Sequence, residues 1–195
     1  MSEIRISCAS LSSITIDDKY LLLLNKRAYK EGRMVYTPIG GGLEYLPNGK
    51  KFLDNLGAKY ERETPDLRLK IDSDNLDLFK FWFGKGIDRE RDIFRELKEE
   101  MIDEENIIQS LSPSDLEISY IKTETPIIEL KGVLNHFFFE IYDVSFSKEK
   151  TDEIKRFISK QGDLKKALLV TEKEIINGLT SDKIEIGSST KSILK

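Results

Sequence analysis

Asp92, Glu96, Glu99, Glu100 and Asp103 crowd one short stretch of this chain, around the segment IFRELKEEMID that starts at Ile93. On a helix of about 3.6 residues per turn these acids share one arc, Ile93, Phe94, Leu97 and Met101 the next, and Arg91, Arg95 and Lys98 a third. The pairs Asp92/Glu96, Glu96/Glu100 and Glu99/Asp103 set like charges four residues apart, each destabilising an exposed helix by roughly 0.2–0.5 kcal/mol. A solvated acidic face is the ordinary meaning of such a run. Here no lysine follows four residues later to relieve the acids, so a divalent cation is the natural source of the missing positive charge. Carboxylate oxygens suit Mg²⁺ or Mn²⁺, which retain several waters and bind substrate phosphates as well. Elsewhere the chemistry is weaker. Gly40-Gly41-Gly42 lacks a following Walker Gly-Lys-Ser/Thr, and His136, the one histidine, reads as a strand residue.

These carboxylates need a helix, and Asp88 reads as its N-cap, with the helix running to about Ile102. Upstream, Ile4 to Ser10, Ser13 to Ile16 and Tyr20 to Asn25 read as strands, with Asp17-Asp18-Lys19 as a turn. Met34 to Pro38 is a short extended piece that runs into the three glycines, where backbone shapes forbidden to side chains become available. Residues 45–87 read as an insertion, with helices around Phe52 to Gly57 and Leu76 to Phe83. Leu116 to Lys122, Pro126 to Leu130 and Val133 to Val144 read as later strands, Phe137 to Phe139 as sheet core, and Thr151 to Lys160 and Thr171 to Leu179 as helices.

At 195 residues the expectation is one domain spanning 1–195. A composition of 39% hydrophobic and 34% charged residues is that of a soluble globular protein. The net charge of −4, without a basic stripe, argues against duplex nucleic acid as a partner. The single cysteine, Cys8, excludes an internal disulfide and a cysteine-based metal cluster, as expected in a reducing cytoplasm. Glu3 and Arg5 precede any apolar run, and Tyr20 to Leu24 is too short to cross a membrane, so no membrane association is expected.

Arg95-Glu96-Leu97-Lys98-Glu99-Glu100 resembles the REUXEE heart of the Nudix hydrolase box, in which U is aliphatic. Gly40-Gly41-Gly42-Leu43-Glu44 resembles the glycine-rich turn that opens the same box, and Leu21 to Arg27 resembles the family's strand ending in a basic residue. The resemblance implies a mixed α/β fold, a Nudix-like α/β/α sandwich around a central mixed sheet, with the insertion between glycine turn and helix. Three departures stand out. Roughly forty residues replace the box's short spacer, Ile87 occupies the position of a box glutamate, and Ile102 that of a glycine. A split box, with Asp66-Leu67-Arg68 and Trp82-Phe83, also resembles a Nudix subgroup encoded beside bacterial nucleotide-signalling antiviral systems.

By that resemblance Glu96, Glu99, Glu100 and the Gly40 carbonyl would ligate Mg²⁺ or Mn²⁺, with Glu96, Glu99 and Arg95 as the catalytic set. Arg95, beside Glu99 on the wheel, would hold that carboxylate in place. Glu99 is the first choice of general base, and Asp143 and Glu149 are candidates from later segments. Arg27, Arg33, Gly41, Arg68 and Trp82 are candidates for substrate contact. Arg27 and Arg33 read equally well as ordinary exposed bases, and Trp82 with Phe79, Phe81 and Phe83 reads better as packing for the insertion. The expected substrate is a small nucleotide, a nucleoside triphosphate cut to monophosphate and pyrophosphate being the simplest case. A nucleotide sensor without turnover, suggested by Ile87, and a protein-interaction module using the acidic helix are the alternatives. The resemblance allows a homodimer, and the insertion offers apolar surface for one.

Overall fold

A computed structural model describes residues 2–130 and 132–194. The chain runs through strands β1 (Glu3–Ile16) and β2 (Lys19–Leu24), helix α1 (Lys26–Lys30), and strands β3 (Val35–Thr37) and β4 (Gly40–Gly42). Next come α2 (Pro47–Asn55), β5 (Lys59–Tyr60), β6 (Arg68–Asp72) and α3 (Leu76–Lys85). Then follow α4 (Phe94–Lys98), which continues as a π-helical segment over Glu99–Glu104, and strands β7 (Leu116–Glu124), β8 (Ile127–Leu130) and β9 (Val133–Phe146). After these come α5 (Lys148–Lys160), β10 (Ala167–Val170), α6 (Glu172–Asn177), β11 (Glu185–Ile186) and a closing 3-10 turn over Ser188–Ile193. The fold is mixed α/β, as expected.

The residues cluster into two compact units, one of residues up to 10, 41–92 and 122–140, the other of 11–40, 93–121 and 141 onward. In the second unit Asp17 and Asp18 adopt φ of +49° and +60° between Ile16 and Lys19, which face each other. Positive φ at both central residues is the type I′ pattern, whose backbone twist matches the right-handed twist of the flanking strands. β2 pairs with β1, β3 and β10, and Leu21 and Leu22 are fully buried, which explains why this strand is apolar without alternation. β11 joins β3 in parallel while the other pairings of β2 and β3 are antiparallel, so the sheet is mixed. Its core gathers Ile14, Leu23, Ile39, Leu97, Met101, Tyr142 and Ile154.

In the first unit the 45–87 stretch is more than two helices. β6 runs antiparallel to β1 from Glu3↔Asp72 to Ser7↔Arg68, and β5 pairs with β6. α2 begins earlier than expected, at Pro47, whose fixed φ suits a first helical position. α3 ends on Gly86, whose φ of +62° closes the helix. Trp82 is buried here, stacked on Phe52 with ring centroids 5.4 Å apart, and Phe79 and Phe83 pack with it while Phe81 is exposed. The packing reading therefore holds for three of the four rings and fails for Phe81. Of Phe137 to Phe139 only Phe138 is fully buried, since a strand turns successive side chains to opposite faces.

Two expectations about the carboxylate helix and its glycines are corrected. Asp88 is not an N-cap: its φ is +59°, and its carbonyl accepts the Leu46 N–H at 2.8 Å. Tyr45 bridges Arg89 and the Glu90 N–H donates to the Glu44 carbonyl at 2.8 Å, so residues 88–90 are tied to 44–46 and the helix begins only at Phe94. Gly40–Gly42 is a strand paired with β1, not a turn. A Cβ at Gly42 would lie 2.8 Å from the Asp66 carboxylate, so glycine there permits close approach.

Candidate functional site

α4 turns Leu97 inward, and Met101 follows on the π-helical segment; both are fully buried. Burying such side chains contributes about 1.5–3 kcal/mol each and fixes which way the intervening acids point. Past Lys98 the turn widens: the Glu105 N–H reaches back five residues to the Glu100 carbonyl at 3.1 Å. The regular wheel thus stops describing the acids beyond Lys98, and Asp92 lies outside the helix altogether. Single π turns within helices are frequent at functional sites.

The acids divide into two groups. Arg95 gathers the first, its Nη2 2.8 Å from Glu96 Oε1 and its Nη1 3.1 and 3.2 Å from the two Glu99 oxygens. Glu96 is buried at 7% exposure, not solvated as the arc suggested, whereas the Glu99 side chain is half exposed. The second group is Glu100, whose Oε1 accepts the Gly40 N–H at 3.0 Å. Burial pushes the Glu100 carboxyl up to about 8, with the charges of Glu96 and Glu104 adding to the effect, while the Gly40 N–H and Lys26 oppose it.

Glu100 and Gly40 line a cavity of about 210 Å³ together with Asn25, Lys26, Arg27, Thr37, Glu104 and Glu105. α1 positions its bases: the Asn25 side chain caps the helix by accepting the Ala28 N–H at 2.9 Å, right after β2 ends. Arg27 is 90% exposed and 3.5 Å from Glu31. Lys26 Nζ lies 2.9 Å from both Glu104 and Glu105, and buried Glu105 also reaches Lys166 at 3.2 Å. Lys26, Glu104 and Glu105 were missed as site residues. The signal was the continuation of the acidic run past Asp103, beyond the expected helix end.

The other candidates lie elsewhere. Arg33 pairs with Glu31 at 3.2 Å and Glu185 at 3.9 Å and does not line this cavity. Glu149 lines a different cavity, and Asp143 lies on β9. Gly41, Arg68 and Trp82 belong to the first unit, where Arg68 lies 3.4 Å from Asp66 and Trp82 is core, not a base-stacking surface.

Among the described residues no three His, Cys, Asp or Glu side chains converge closely enough to enclose an ion. The donor chemistry nevertheless suits a hard divalent cation: the donors are carboxylate oxygens, and partly buried Glu100 feels the charges of Glu96 and Glu104. Mg²⁺ is bound through one or two carboxylates, with water and substrate phosphates completing the set.

No curated protein and no solved structure matches the chain. The family comparison is positive, and it spans both compact units. A model described as the SMODS-associated NUDIX domain matches residues 3–194, and the chain belongs to that family.

Proposed function

We propose that the chain is a Mg²⁺- or Mn²⁺-dependent hydrolase that cleaves the pyrophosphate linkage of a nucleoside diphosphate derivative, most simply a nucleoside triphosphate to monophosphate and pyrophosphate. Family membership implies a hydrolase of nucleotide derivatives. The single observation that carries the finer reading is the arrangement of three successive acids of the box: Glu96 and Glu99 on one guanidinium, and a partly buried Glu100 that accepts the Gly40 N–H. Burial takes Glu96 off the solvated face that a protein-docking helix would present.

Glu96, Glu99, Glu100 and the Gly40 carbonyl would hold one or more metal ions, each on one or two carboxylates with water and substrate phosphate completing the set, and the metal would supply charge neutralisation, polarised phosphoryl oxygens and a more acidic water. Arg95 keeps Glu96 and Glu99 in place before substrate arrives. Glu99, the more exposed of that pair, takes the proton of the attacking water. Lys26 and Arg27, on the cavity holding Glu100, attract the phosphates. Arg33, Gly41 and Arg68 remain candidate substrate contacts, and the proposal extends to a cytoplasmic role beside bacterial nucleotide signalling in antiviral defence. No described helix is long and apolar enough to cross a membrane.

A second reading is a nucleotide sensor without turnover, favoured by Ile87, which stands exposed where the box has a glutamate. Incubation with a panel of nucleotides and Mg²⁺ or Mn²⁺, with products resolved by chromatography, separates the two. Metal-dependent product that disappears in Glu99→Gln and Glu100→Gln supports the hydrolase. Metal-dependent binding without product supports the sensor, and absence of nucleotide binding overturns both.

A further inference from the structure

The second unit holds another cavity, larger than the one at Glu100 and built from residues outside the box. It measures about 730 Å³, within the range of roughly 300–1,000 Å³ that small-molecule sites occupy. Its walls are the loop after the π-helical segment, one face of α5 and the loop leading to β10. The lining carries Lys150, Arg156, Lys160 and Lys166 against two acids, Glu149 and Glu153. That local excess of positive charge runs against a chain whose net charge is −4.

Lys150 anchors the site. Its side chain is 7% exposed, and its ammonium lies 3.2 Å from Ser110 Oγ and 3.2 Å from Glu153 Oε2. An ammonium has three N–H donors, so these two acceptors leave one for an acceptor within the cavity. Glu153 is further engaged, accepting the Gln109 N–H at 2.7 Å, which fixes the loop against α5. Arg156 and Lys160 are exposed, and neither meets a carboxylate among the described residues; Arg156 donates to the Asp152 carbonyl at 3.3 Å. On one lining, a buried ammonium with a third donor and two cations that meet no carboxylate among the described residues suit the oxygens of a phosphoryl group. Phe157 and Leu164, on the same lining, offer apolar surface for a planar ring.

We propose that this cavity binds a phosphorylated small molecule carrying an aromatic ring, a nucleoside monophosphate being the simplest, at a place separate from the carboxylate site. The two linings share no residue. Lys166 lines this cavity and Lys26 the other, and both are ion-paired to Glu105, so the two sites are joined through one buried carboxylate.

The test is isothermal titration calorimetry with AMP in the presence of chelator, which silences metal-dependent binding. Wild-type protein is expected to bind AMP, the Arg156→Glu/Lys160→Glu variant at least tenfold more weakly, and Glu100→Gln as the wild type does. The substituted side chains are exposed, and an unchanged circular dichroism spectrum and melting temperature verify the fold. Absence of AMP binding to the wild type, or affinity unaltered by the double charge reversal, overturns the proposal. Loss of binding in Glu100→Gln alone also overturns it, by moving AMP to the carboxylate site. Equal affinity for inorganic phosphate overturns the part assigned to Phe157 and Leu164. Because none of these readouts needs turnover, the proposal stands or falls independently of the hydrolase reading.

Discussion

Arg95 is the residue on which the acids are organised, since one guanidinium meets both Glu96 and Glu99. Arg95→Ala should therefore lower kcat by about 10–100-fold, as loss of a ligand's orienting partner does, with little change in KM and partial recovery in Arg95→Lys. Steady-state kinetics on a cleaved nucleotide checks this. Glu100 gives a pH signature. Its carboxyl titrates at about 8 in the fold against 4.5 for the free group, because burial disfavours its charge. A raised acid pKa adds stability that is complete below the unfolded value and is lost as pH rises through the folded one. In chelator, Glu100→Gln should thus gain on the wild type by a few degrees in melting temperature between about pH 5 and about pH 8.5. Thermal unfolding at the two pH values measures it, and no relative gain would contradict the burial argument.

At the scale of elements, α4 and its π-helical extension are held by their apolar side. Met101 is fully buried where the turn widens, so Met101→Ala should cost about 2–4 kcal/mol in urea unfolding and disorder the acids on either side. The apolar stripe of Leu97 and Met101 was legible from periodicity. The widened turn was not, because one extra residue per turn leaves no trace in composition. The late start of the helix was equally hidden. Asp88 has the right type for a cap, but bonds to the 44–46 segment tie residues 88–90 down outside the helix, and such long-range pairing overrides a local preference. At β1 and β2 the local signal sufficed: two aspartates between apolar strands made a hairpin, tighter by one residue than the turn expected.

Across the whole molecule two cores, one in each compact unit, carry the fold, and the first has its own reporter. Trp82, the one tryptophan, lies in the first unit's core beside Phe52 and Phe79. Phe79→Ala should destabilise that unit by about 3–5 kcal/mol and move the fluorescence-detected urea midpoint further than the midpoint seen by far-UV circular dichroism. Coincident midpoints in that variant would show that the two cores unfold as one.

The sequence by itself determined the alternation of strands and helices, the resemblance of Arg95 to Glu100 to the Nudix box, and the like-charge spacing within it, because periodicity and spacing are local properties of the chain. Tertiary structure alone decided that Glu96 is buried, that Glu100 rests on the Gly40 amide, that Lys26 and Glu105 join the cavity, and that Trp82 is core. Those outcomes depend on which distant segments pack together, and burial and pairing of that kind are set by the fold rather than by spacing along the chain.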